Sequence, residues 1–320
     1  RDTDRSRGLG DVYKRQLPTD AYLETCAAVG AGFFSQRMNQ LTCNARYMDE
    51  VERVLYNNVL TGVSLSGDKY TYQNPLNTDK PDRWEWHVCP CCPPMFLKIM
   101  AAMPGYIYAY QGDNVYVNLF IGSEVRVPVG KSNSVRLKQL TSYPWHGAVS
   151  IQVNPDKAST FSMKVRIPGW AQGTENPYDL YQSNLKAPVK LKVNQEDVLL
   201  RIVDGYAEIN REWKKGDHIE LELPMQPRLI TANKAVENLR GQVALASGPI
   251  IYCFEDADNP ELQTFKLQAQ TPLELSHDSN LLNGVNIIKC QGDIPAKAIP
   301  YYAVANREES HSYKVWIPQK

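Results

Sequence analysis

The apolar residues of this chain change their period near Tyr106, and that change limits what each part can fold into. Before it, Tyr22, Cys26, Val29, Phe33 and Leu41 recur at helical spacing over 20–41, with Thr19 or Asp20 available as an N-cap after Pro18. A second helix is predicted over about 45–60, with Met48, Val51, Leu55 and Val59 buried and Asp49, Glu50 and Arg53 on the opposite face. Gly-marked turns between 62 and 72 predict a hairpin. A third helix starts at Cys91 or Pro93, because proline suits a first helical turn, and runs through Phe96, Leu97, Met100 and Met103 to Pro104-Gly105. Beyond Tyr106 the period is two. Val115, Val117 and Leu119, then Val149, Ile151 and Val153, then Met163, Val165 and Ile167, alternate with polar residues. So do Val189, Leu191 and Val193, and Ile219, Leu221 and Leu223. Turns at Pro155-Asp156, Pro168-Gly169, Asp204-Gly205 and Lys215-Gly216-Asp217 separate these strands as a β-sandwich requires. Residues 230–320 add an apolar stretch over 243–252 and scattered strands such as 313–317, a second, smaller β-rich region.

A chain of 320 residues has room for two or three domains of roughly 100 to 150 residues. Lys plus Arg equals Asp plus Glu at 35 each, so no bulk charge attracts nucleic acid or an anionic membrane, and a neutral sugar suits the balance better. No apolar run reaches the roughly 18 to 20 residues of a membrane helix. Six Trp and 18 Tyr supply aromatic faces that stack on sugar rings, although most aromatics in any domain serve packing. The cysteine count of seven is odd, and Cys43, Cys253 and Cys290 stand isolated, which reads as buried thiols rather than a disulfide framework. That permits a bacterial cytoplasm and leaves a periplasm open. Homodimerisation is left open as well.

The densest chemistry lies at Cys89-Pro90-Cys91-Cys92-Pro93-Pro94, three thiols in four residues, with Glu24-Thr25-Cys26 upstream. One carboxylate and several thiolates suit Zn2+, which takes mixed sulfur and oxygen ligands in a tetrahedron. Glu24, Cys26, Cys91 and Cys92 make a four-ligand set, with Cys89 as a substitute or outer thiol. Residues i and i+2 point to nearly opposite sides of a helix, so Glu24 and Cys26 can share a cation only if the helix starts or distorts there. A helix N-terminus at Cys91 favours thiolate over thiol. The bland alternative is a purely structural zinc knot, since closed four-ligand sites are usually structural. His87 reads as a neighbour of the cysteines, and the other four histidines fall in no motif.

Five pieces in order, Glu24-Thr25-Cys26-Ala27-Ala28, Val51-Glu52-Arg53-Val54-Leu55-Tyr56-Asn57, Tyr72-Gln73-Asn74-Pro75-Leu76, the cysteine cluster and Gly105-Tyr106-Ile107-Tyr108, resemble glycoside hydrolase family 127, the β-L-arabinofuranosidases. The family usually carries Asn where this chain has Met95. The resemblance implies a multidomain α+β fold, with the C-terminal part of an (α/α)6 barrel over 17–110 followed by a β-sandwich over 111–229 and a β-rich domain over 230–320. It makes Cys91 the nucleophile of a retaining reaction that releases L-arabinose from β-L-arabinofuranosides of plant glycans, and it places Glu52 and Tyr72 at sugar-binding positions. Residues 1–16 lack Met and any helical or strand period, and their ending 11–16 is similar to translated adapter sequence, so they are expected to be a non-native or disordered leader. The family's general acid/base glutamate would align inside that leader, near Gly8, where no carboxylate matches, and the chain is therefore expected to be inactive alone. A rival reading is a zinc-stabilised β-sandwich module that binds carbohydrate or another domain without chemistry. Absent the resemblance, Glu52 would read as a solvated helix residue and Tyr72 as core.

Overall fold

A computed structural model describes residues 23–86, 88–176, 179–291 and 294–320. The expectations for residues 1–16, for the cap before Tyr22 and for His87 fall outside the described residues. Three helices of eight residues or more occur among those described: α1 (Thr25–Thr42), α2 (Arg46–Arg53) and α3 (Cys92–Ala102). Helices are therefore few, the architecture is mostly sheet, and an (α/α)6 barrel is not evident. No described helix is long and apolar enough to cross a membrane.

The apolar stripe expected on α1 is only in part the face it buries: Val29 is buried and Phe33 packs against the same core. Thr25, Val29, Gly32, Ser35 and Asn39 point inward, whereas Leu41 is 73% exposed. Small residues on that face allow close approach: a Cβ at Gly32 would stand 3.2 Å from Ile99 Cδ1 and 3.3 Å from Val54 Cγ2. Asn39 supplies hydrogen bonds in place of apolar area, donating from Nδ2 to Tyr206 Oη at 2.9 Å and to the Asn44 carbonyl at 3.0 Å. Met48, Val51, Leu55 and Val59 are buried as expected, in one core with Val29, Ile99 and Met103. On α3 the core takes Cys92 and Ile99, and Leu97 and Met100 face outward.

The second helix does not stay regular to residue 60. Val54–Val59 form a π-helical turn, a widening often found where a side chain must be re-aimed. Here Asn57 is held on both sides: Nδ2 donates to the carbonyls of Arg53 at 2.8 Å and Pro249 at 3.0 Å, and Oδ1 accepts from the Ile251 amide at 2.8 Å. Those bonds pin the helix to the C-terminal sheet. Tyr56 beside it packs against three separate cores.

Two sheets form the sandwich predicted from the alternating residues. One has five strands in the order Ile202–Val203, Tyr206–Trp213, Ser159–Arg166, Asn114–Val117, Tyr108–Gln111, with one parallel pair between Asn114–Val117 and Ser159–Arg166. The other has six, from Glu196–Asp197 through Lys190–Val193, Asp217–Glu222, Ala148–Pro155 and Asn133–Thr141 to Ser123–Val129. Their inward residues, among them Val115, Met163, Val165, Leu137, Ile151 and Ile219, share one core. A third sheet of ten strands occupies the C-terminal region. Its edge is extended from elsewhere in the chain: Tyr181–Ser183 pairs with Arg228–Ala232, and Asn77–Thr78 pairs with Tyr313–Lys314. Strand exchange therefore laces the helical segment and the sandwich to the last sheet.

Candidate active site

Glu24 precedes α1 in extended backbone, at φ −71° and ψ 140°, so the geometric objection to Glu24 and Cys26 sharing a site is met by the helix starting between them. Segment 71–74 fixes that start. The Thr25 amide donates to the Tyr72 carbonyl at 2.9 Å and the Asn74 amide to the Leu23 carbonyl at 2.8 Å. Thr25 Oγ1 donates to the Thr71 carbonyl at 2.8 Å and accepts from Asn74 Nδ2 at 2.8 Å.

Upon this frame the Tyr72 hydroxyl donates to Glu24 Oε1 at 2.8 Å, and the other carboxylate oxygen accepts from the Cys26 thiol at 3.1 Å. Cys26 Sγ lies 3.2 Å from Cys91 Sγ, which lies 3.8 Å from Cys92 Sγ. Cys91 stands at the N-cap of α3 and Cys92 at its first turn, so the helix start delivers both thiols. Trp84 stacks on Tyr72 with centroids 5.7 Å apart and 18° between planes, and Tyr70 meets Trp84 edge-on at 6.5 Å. The structure thus brings together Glu24, Cys26, Tyr72, Cys91 and Cys92. Cys89 is exposed beside them, its carbonyl accepting from the Cys91 amide at 2.9 Å.

The sulfurs of Cys26, Cys91 and Cys92 all lie within 4.8 Å of one another, close enough to hold a metal ion. A tetrahedral ion with metal–sulfur bonds of about 2.3 Å separates its sulfurs by about 3.8 Å, close to the spacings seen. Burial pushes the Cys26 thiol far up from its ordinary range, with hydrogen bonds to Cys91 and Glu24 adding to the shift. Burial also pushes Cys92 up to about 11. The pocket alone therefore holds these two groups as thiols at neutral pH, and a cation is what would make them thiolates.

Glu52 belongs to a different cluster. It is 1% exposed, so it is no solvated helix residue, and its carboxylate is ion-paired with the Arg166 guanidinium, which has no exposed surface. The Tyr143 hydroxyl donates to Glu52 Oε1 at 2.7 Å and Trp170 Nε1 to Oε2 at 3.3 Å. Arg166 Nη1 also donates to Asp49 Oδ1 at 2.7 Å, so one guanidinium serves two carboxylates. The family motif singled out Glu52, whereas the helical pattern set Asp49 on the outer face; the partner of both comes from the sandwich. Arg166 ends an apolar alternating strand and gave no separate signal, and Trp84 was likewise missed because nothing marks one tryptophan of six.

Burial pushes the Asp49 carboxyl from an ordinary 3.8 up to about 6, the nearby Glu52 charge adding and the Arg166 charge opposing. Between about pH 4 and 6 the folded chain keeps a proton here that the unfolded chain releases, so this group lowers stability as pH rises through that window. Asp49→Asn should remove the slope. Urea unfolding of both chains at pH 4 and pH 7 should show the variant gaining on the parent as pH rises; a constant difference would contradict this assignment.

A carboxylate and three thiols gathered at two helix starts, under an aromatic pair and joined to a β-sandwich, define a site able to combine metal binding with thiol chemistry. Sequence profiles match along the chain in order: the catalytic domain of GH127 β-L-arabinofuranosidases over residues 12–105, the middle domain over 114–225 and the C-terminal domain over 227–318. The chain is 30% identical to a non-reducing end β-L-arabinofuranosidase of Bifidobacterium longum subsp. longum, across 94% of this chain and 50% of that protein. A solved GH127 β-arabinofuranosidase superposes with a TM-score of 0.88 at 35% identity, covering 95% of this chain and 51% of the other. A GH127 β-L-arabinofuranosidase from Geobacillus stearothermophilus T6 gives 0.86 at 34% identity, with coverage of 95% and 51%. This chain belongs to glycoside hydrolase family 127. It spans about half the length of the relatives it matches.

Proposed function

We propose that this chain carries the thiol half of a retaining β-L-arabinofuranosidase, with Cys91 as nucleophile and Glu24, Cys26, Cys91 and Cys92 as ligands of one zinc ion. The observation that carries the reading is the convergence of three sulfurs and one carboxylate, with Cys91 in the middle of the sulfur row. Zinc, when bound, supplies the charge that keeps the thiols deprotonated.

The rest follows from the chain's own residues. Glycosidases normally place a carboxylate below the anomeric carbon of an oxocarbenium-like transition state. In this site the Cys91 sulfur takes that place, forming a bond to the anomeric carbon while the bond to the leaving oxygen breaks, and water later displaces the sulfur. Two displacements give net retention. Tyr72, whose hydroxyl already bonds Glu24 and whose ring carries Trp84, fixes the carboxylate and offers an aromatic wall to the sugar. The resemblance also assigns Glu52 to sugar contact; its support is the motif, while its observed partners are Arg166, Tyr143 and Trp170. In a complete family member the helical segment would form part of an (α/α)6 barrel, and a plant glycan ending in β-L-arabinofuranose would be the substrate.

The test is stereochemical. This chain, completed with the portion of a relative that it does not span, should release L-arabinose from an aryl β-L-arabinofuranoside first as the β-anomer, seen by NMR before mutarotation. Initial appearance of the α-anomer would mean inversion and would remove the covalent thiol step.

A further inference from the structure

Two hollows adjoin on the sandwich side of the molecule, away from the cysteines in the chain, with volumes of about 710 and 480 Å³. Both are open to solvent, and they share His146 and Ala148, so they adjoin as one shallow trough. The first lies over the outer side of the six-stranded sheet, where Glu124 and Lys138 are register partners and Leu140 is exposed. The second lies where the sandwich meets the C-terminal sheet, lined by Trp145, His146, Glu222, His277 and Asn286.

The second hollow is built in advance. Asn286 is buried; its Nδ2 donates to the Trp145 carbonyl at 3.2 Å and its Oδ1 meets His277 Nδ1 at 3.0 Å. One amide therefore holds a residue from each side of the seam. Trp145 packs against both C-terminal cores and sits 6.4 Å from the Tyr302 ring. Groups held in place without a ligand lose little freedom when one arrives, which favours binding.

The lining identifies the ligand. Donors and acceptors are mixed, two carboxylates stand against one ammonium, and Trp145, Met225 and three leucines provide apolar contact. A strongly charged ligand finds no matching field here. A cation is disfavoured too, since among the described residues only Cys26, Cys91 and Cys92 gather at metal-binding distance. A molecule with a hydroxyl on nearly every carbon and apolar ring faces fits such a surface. We propose that this trough is a second, non-catalytic site for a neutral oligosaccharide; the sugar class rests on the arabinofuranosidase reading above.

Isothermal titration of the 320-residue chain carrying Cys91→Ser, with a neutral arabinofuranosyl trisaccharide, tests this without turnover. Binding at a Kd of about 1 mM or tighter is expected. His146→Ala with Glu222→Gln, both at exposed positions, should weaken it at least tenfold with unchanged melting temperature and zinc content, and His277→Ala should weaken it as well. No heat up to millimolar sugar, or binding undiminished in the double variant, would overturn the trough. If the completed enzyme fails to release arabinose while the trough still binds sugar and responds to the variants, the catalytic reading falls and the trough stands.

Discussion

Arg166→Met should destabilise the chain by about 3–5 kcal/mol, the usual result of leaving a buried ion without its partner. The guanidinium has no exposed surface and is ion-paired with both Glu52 and Asp49. Its removal leaves two carboxylates in the seam between α2 and the sandwich, with the Tyr143 hydroxyl and the Trp170 indole still donating to Glu52. The cost should be smaller for Glu52→Gln, about 1–3 kcal/mol, because the neutral amide still accepts hydrogen bonds and Arg166 retains Asp49. Combining the two should cost less than the sum, since the shared interaction is lost once. Urea midpoints for the four chains provide the comparison. An Arg166→Met loss below about 1 kcal/mol would show that the seam tolerates an unpaired carboxylate.

The same seam shows what could be read from the residues and what could not. Alternating Val115/Val117, Val149/Ile151/Val153 and Ile219/Leu221 announced the sandwich because a two-residue period leaves one face for the core, and those strands are present. The inward face of α1 was read only at Val29, because the rest packs through Gly32, Ser35 and Asn39, where closeness and hydrogen bonding replace hydrophobic area. The π turn at Val54–Val59 depends on Asn57 meeting Pro249 and Ile251, nearly two hundred residues away, and no local rule contains that contact. At the site, clustered thiols and the Glu-x-Cys spacing picked out groups that the fold brings together, and the helical geometry required the break seen at Glu24. Trp84 and Arg166 were invisible because their meaning lies wholly in residues brought to them by folding.

Cys91→Ser carries the second large effect. On the mechanism proposed above, it should lower kcat of the chain completed from a relative by about 10³-fold or more, as removal of a nucleophile does where the residues of a site act as a unit. A serine hydroxyl at that place is far less ionised than a metal-held thiolate and is a poorer nucleophile. Cys43→Ser, at a left-handed residue that closes α1, is the control: its thiol makes a long contact of 3.7 Å to Gln111, and the change should leave turnover unaltered. Equal losses in both variants would point to general misfolding, and an active Cys91→Ser enzyme would move the nucleophile elsewhere.

This chain spans about half the length of the relatives it matches, and positioning and general acid catalysis each contribute orders of magnitude to rate. The proposed metal site does not need turnover to be seen. Purified without chelators, the chain should contain one zinc per molecule by elemental mass spectrometry, with Cys26, Cys91 and Cys92 shielded from alkylation until the metal is stripped. Zinc near zero, with all three thiols alkylated at once, would contradict the account.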